Sequence, residues 1–87
     1  MKYEFEVVVS LKDDLLDPQG KTIEEALPTL GWNGVSDVRV GKSITLTVEA
    51  ESDDAAEELV SDMAEKFLSN PVIERFHVRR GAKEPVS

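Results

Sequence analysis

Tyr3, Phe5, Val7, Val9 and Leu11 alternate with Lys2, Glu4, Glu6, Val8 and Ser10. Apolar side chains at every second position turn one face of a strand toward a core, so the pattern predicts a strand over residues 2–11. Glu4 and Glu6 fall on its opposite face beside Val8. Residues 12–17, KDDLLD, break the alternation and lead into a helix. Asp17 is placed to cap it, and Pro18 suits the first helical position, where no N–H is needed. Ile23, Ala26, Leu27 and Leu30 then recur at three- and four-residue spacing, a stripe for burial. Pro28 removes a backbone bond and crowds the carbonyl at position 24, which predicts a bend or an early stop. Gly31 supplies the C-terminal turn.

After Trp32-Asn33-Gly34, Val35, Val38 and Val40 read as a second strand. Gly41-Lys42-Ser43 is turn chemistry, and Ile44, Leu46, Val48 and Ala50 alternate with Thr45, Thr47 and Glu49. Two such runs around a glycine-containing turn predict a β-hairpin. Ser52 or Asp53 caps a second helix whose opening turns hold Asp53, Asp54, Glu57 and Glu58, where negative charge suits the macrodipole. Its apolar face is Ala56, Leu59, Val60, Met63, Phe67 and Leu68. Asn70-Pro71 stops it. Val72, Glu74, Phe76 and Val78 against Ile73, Arg75, His77 and Arg79 make a last strand.

The order β-α-β-β-α-β, with two similar strand–acidic loop–helix halves, predicts an α+β two-layer sandwich. This is the ferredoxin-like arrangement: an antiparallel four-stranded sheet with two helices on one face. Strand order is left open. Residues 1–79 form the single expected domain, and residues 80–87, RGAKEPVS, have no period and read as a loose tail.

Size then changes the picture. A chain of 87 residues and 9.6 kDa exposes about 5,100 Å² when compact and about 13,900 Å² unfolded, so it buries only about 63% of its surface. There is no Cys to supply a disulfide or thiolate site, and a partner subunit is the remaining source of extra burial. The net charge of -8 and pI near 4.5 oppose binding to a phosphate backbone. The longest apolar run, Val7–Val9, is too short for a membrane span or a secretory leader, so the expected location is the cytoplasm.

Screens for chemistry return little. None of the serines has a Gly-x-Ser-x-Gly setting, and His77 has no second His for a metal pair. Asp13, Asp14 and Asp17 lack the glycine and closing glutamate of a calcium loop. Asp53, Asp54, Glu57 and Glu58 are read as a solvated helix start. No glycine-rich phosphate loop precedes either helix. His77, between Arg75 and Arg79, is read as a sheet-face residue, since neighbouring cations work against a general base. No cofactor, metal or catalytic residue is therefore assigned. The sheet face away from the helices carries Glu4, Glu6, Val8, Arg39, Thr45, Thr47, Glu49, Arg75, His77 and Arg79, either a wet face or a docking surface. Leu15, Leu16 and Trp32 lie outside the helix stripes, and Trp32 is read as covering one end of the sandwich.

The runs Leu16-Asp17-Pro18-Gln19-Gly20-Lys21, Val38-Arg39-Val40-Gly41-Lys42 and Asn70-Pro71-Val72-Ile73-Glu74 together resemble PurS, the small subunit of phosphoribosylformylglycinamidine synthase. The resemblance covers residues 2 to about 79. Trp32 stands where a Phe is expected, Arg75-Phe76-His77 replaces a more acidic end, and the tail from Arg80 is extra. The resemblance implies a non-catalytic subunit in de novo purine biosynthesis. It implies a homodimer, or a dimer of dimers, between a glutaminase subunit and a large ATP-dependent synthetase subunit, assisting ammonia transfer. By the same analogy Asp17, Gln19, Arg39, Gly41 and Lys42 are candidate interface positions. Asp17 also serves as a helix cap and Gly41 as a turn residue. Two rival readings stand beside it: a small-molecule-binding regulatory module of ferredoxin-like type, resting on Gly34 and Gly41, and an enzyme using His77 or the acidic cluster.

Overall fold

The computed structural model of the chain describes residues 1–81. In order it holds β1 (Lys2–Leu11), α1 (Pro18–Ala26), a 3-10 turn (Leu27–Leu30), β2 (Gly41–Glu49), α2 (Asp53–Met63), a π-helical turn (Ala64–Leu68) and β3 (Glu74–Arg80). The alternating β1 sequence takes the middle of an antiparallel sheet ordered β2-β1-β3. Phe5 lies opposite Leu46, Val7 opposite Ile44 and Val78, and Val9 opposite Phe76. Those residues share one face. α2 and the π-helical turn that continues it lie on this face and bury Ala56, Val60 and Ala64 against Phe5, Val7 and Val9. Alanine at two of the three positions lets the helix approach the sheet closely, and burial of this cluster is what holds the layers together.

The α+β class is as expected, but the sheet has three strands among the described residues rather than four. Residues 35–40 form no strand and there is no hairpin at Gly41-Lys42-Ser43. The backbone donors of this segment go to side chains instead of a neighbouring strand: Val38 N–H donates to Glu24 Oε1 at 3.2 Å and Val40 N–H to Asp17 Oδ2 at 2.7 Å. Asp37, at φ 58°, breaks the extended run. Gly41 is the first residue of β2, opposite Ser10. A Cβ there would come within 2.7 Å of the Val9 carbonyl oxygen, so this glycine serves close strand approach rather than a turn.

The two helices are not a matched layer. α1 is capped by Asp17, passes into the 3-10 turn at Pro28 and ends on left-handed Gly31, as its sequence requires. Yet it has no extensive contact with any strand, and its main neighbour is the 3-10 turn that follows it. Residues 15–40 thus form an arm leaving the body beside the ends of β1 and β2. The Cα radius of gyration is 16.5 Å, where a compact chain of this length has about 12 Å. Trp32, expected to cover the sandwich, lies far out on the arm and is 60% exposed.

Ser52 caps α2, its Oγ accepting from Ala55 N–H at 3.1 Å. The π-helical turn then widens the spiral and shifts the phase of the buried face. Ala64 is buried and Leu68 partly buried, whereas Leu59 and Phe67, both assigned to the apolar face, are exposed. β3 starts at Glu74, because Val72 and Ile73 are used in the turn after Asn70. It runs through Arg80, which had been placed in the tail, and Gly81 N–H donates to the Glu4 carbonyl at 2.8 Å. The rest of the expected tail lies outside the described residues.

Candidate interface at the root of the arm

Where the arm joins the sheet, four of the five candidate positions come together. Asp17, Gln19, Gly41 and Lys42 line an open cleft of about 480 Å³, floored by Val9 and Leu11 and bordered by Glu74. Lys42 sits opposite Val9 on the helix side of the sheet, where α2 does not reach to cover it. Gln19 is exposed in the first turn of α1.

Asp17 organises the junction. It is only 5% exposed, and both carboxylate oxygens are used: Oδ1 accepts from Gly20 N–H at 3.0 Å and Oδ2 from Val40 N–H at 2.7 Å. The Val40 bond first, then the Gly20 bond, holds its carboxyl below the usual aspartate range, because each donor favours the charged form. One side chain therefore caps the outgoing helix and pins the returning segment. Gly20 makes the close approach possible, since a Cβ there would lie 2.2 Å from the Val38 carbonyl oxygen.

Arg39 stands apart from the cleft, beside Leu16, Glu24 and Val38. Its guanidinium donates to the carbonyls of Leu15 at 2.9 Å and Lys12 at 3.0 Å, so it braces the arm's base. Gly20 and Glu24 were not singled out in the sequence. Gly20 carried a signal, because glycine within a helix costs up to about 1 kcal/mol relative to alanine and is kept where another group must pass close by. Glu24 carried none.

On the opposite face of the sheet, Arg79 Nε donates to Glu6 at 2.8 Å and Arg75 grips Asp13 at 2.9 and 3.2 Å. The Arg79 bond, followed by a hydroxyl bond from Ser43, keeps the Glu6 carboxyl below its ordinary range. His77 lies across from Val8. Among the described residues no group of three or more His, Cys, Asp or Glu side chains is arranged to hold a metal. No described helix is long and apolar enough to cross a membrane.

The described residues form a small α+β protein: a thin three-stranded body, a braced arm with exposed apolar side chains and an open cleft at the arm's root. Comparison with known proteins gives the family. A family model described as PurS, phosphoribosylformylglycinamidine (FGAM) synthase, matches residues 4–81. The phosphoribosylformylglycinamidine synthase subunit PurS of Bacillus subtilis is 47% identical over 74 residues, covering 85% of this chain and 87% of that one. The PurS subunit of Methanocaldococcus jannaschii is 38% identical over 77 residues, covering 88% and 93%. Among solved structures, the purS subunit of Thermotoga maritima superposes with a TM-score of 0.85 at 40% identity, covering 92% of each chain. A chain of PurLQS from Thermotoga maritima gives 0.86 at 39% identity, covering 92% of this chain and 98% of that one. The chain belongs to the PurS family, the PurS subunit of FGAM synthase in purine biosynthesis.

Proposed function

We propose that this chain is the non-catalytic docking subunit of the FGAM synthase complex. As a homodimer in the cytoplasm it bridges the glutaminase and the ATP-dependent synthetase subunits and assists transfer of ammonia between them. The observation that carries the reading is the likeness to a chain of PurLQS over nearly the whole length of both. The cleft supports it: Lys42 and Gln19 are exposed there on a scaffold fixed by Asp17 and Gly41, and a cation on a chain of net charge -8 is suited to an acidic partner surface. Asp17, Arg39 and Gly41 act by positioning that surface, and Gln19 and Lys42 by touching the partner.

Reconstitution tests this. FGAM formation is assayed with glutamine and with free ammonia, with and without this chain. Glutamine-dependent turnover is expected to collapse without the chain while ammonia-dependent turnover changes much less. Lys42→Ala should reduce the glutamine reaction several-fold and leave the ammonia reaction nearly unchanged. Equal rates with and without the chain would overturn the proposal. Binding of a small metabolite in the cleft, with no effect on complex assembly, would favour the regulatory reading instead.

A further inference from the structure

The chain has two asparagines, Asn33 and Asn70, and both are exposed. Their neighbours decide which of them can keep its amide. The backbone nitrogen of the next residue can attack an asparagine's side-chain carbonyl carbon when three conditions hold. That nitrogen must carry a hydrogen to lose, it must not be held in a hydrogen bond, and its own Cα must not carry a side chain that blocks the approach. Asn70 fails the first, because Pro71 has no N–H. Its side-chain oxygen is also engaged, accepting from Val72 N–H at 3.2 Å.

Asn33 meets all three. Gly34 follows it, with no Cβ to crowd the attack. Gly34 stands at φ 84°, and beyond its chain neighbours nothing lies within 4 Å of where a Cβ would be. Residues 32–37 are exposed and lie in no helix or strand. The backbone is held on either side of this stretch. Gly31 and Trp32 N–H donate to the Pro28 and Leu27 carbonyls, each at 3.1 Å, and Val38 N–H donates to Glu24 at 3.2 Å. Between them, among the described residues, Gly34 N–H donates to no other backbone group.

We propose that Asn33 is a site of spontaneous covalent modification on the arm, converting through a cyclic imide to aspartate and isoaspartate. The Gly34 nitrogen bonds to Asn33 Cγ, the bond from Cγ to the amide nitrogen breaks, and ammonia leaves carrying the proton that Gly34 gave up. Water then opens the ring. Attack at Cγ restores the ordinary main chain with an aspartate, and attack at the main-chain carbonyl leaves an isoaspartate, whose backbone runs through the side chain. Nothing is oxidised or reduced, and water is the sole co-reactant. Either product is a carboxylate at neutral pH, so the net charge becomes more negative than -8. The new anion lies between Trp32, 60% exposed, and Val35, 44% exposed. Covering that part of the arm in any association would then mean desolvating a charge where the amide was neutral.

The experiment incubates the full chain at mildly alkaline pH, native and unfolded in guanidinium chloride, and follows tryptic peptides 22–39 and 67–75 by mass spectrometry. Peptide 22–39 is expected to change from amide to acid, with isoaspartate in excess over aspartate, while peptide 67–75 keeps its amide. The native rate is expected to fall within about tenfold of the unfolded rate, because an exposed, unpaired segment gains little protection from the fold. Asn33→Gln should stay unchanged over the same period, since the larger ring closes far more slowly. Aspartate without isoaspartate would overturn the imide route. A native rate slowed by more than that factor, or no conversion at Asn33, would overturn the site. None of these readouts involves the synthase, so the docking role is tested separately.

Discussion

Asp17 shows how one side chain can serve two levels of structure. As the residue before Pro18 it is a cap, and that much follows from its position alone. Its second oxygen reaches Val40, 23 residues on, and no local pattern announces that. Because its carboxyl is held below the ordinary value of about 3.9, the stability it lends is whole above that pH. It is lost as pH falls through the unfolded value toward the folded one. Urea unfolding of the native chain and Asp17→Asn should therefore differ clearly at pH 7, with the native chain more stable, and the gap should narrow by pH 3. A gap of the same size at both pH values would mean that the charge of the carboxylate is not what the Val40 and Gly20 donors bind.

At the scale of elements, the second helix is the cleaner test of capping, because its body is packed and its cap is a single neutral hydroxyl. Ser52→Ala should cost about 1 kcal/mol in urea unfolding, with the slope against denaturant unchanged because the same surface is exposed. A cost near zero would mean that the acidic first turn, Asp53 and Asp54, suffices by itself. Most elements were legible where the period is local. β1 followed from strict alternation, α1 with its break at Pro28 from the cap and the proline, and α2 from its cap and stripe. What was not legible depended on partners distant in sequence. Val35, Val38 and Val40 look like a strand, yet the donors of Val38 and Val40 are taken by Glu24 and Asp17. Gly41 looks like a turn residue, yet it is needed where β2 passes close to the Val9 carbonyl. Phe67 fits the stripe of a uniform helix, and the widened turn at Ala64–Leu68 moves it to the surface. Asp17, Gln19, Gly41 and Lys42, named as candidate interface positions from the family resemblance alone, line one cleft; no local pattern announced that cleft, because its depth comes from the arm standing away from the sheet.

For the whole molecule, charge and apolar surface pull against one another. Each copy carries -8, so two copies repel at long range, while the exposed Ile23, Leu30 and Trp32 favour association through burial. Salt acts on the two terms differently. The screening length falls from about 30 Å at 0.01 M to about 8 Å at 0.15 M, which weakens repulsion between distant like charges and leaves apolar contacts almost untouched. Self-association should therefore tighten as salt is raised over that range, measured as a lower dimer dissociation constant by sedimentation of dilution series. Emission of Trp32, the only tryptophan, should move to shorter wavelength in step as the arm becomes covered. Ion pairs between copies would give the opposite slope, with salt pulling the dimer apart. The direction of this one dependence separates an assembly driven by the unpartnered arm from one driven by the charged sheet face, where Glu6, Arg79, Arg75 and Asp13 are already paired within a single chain.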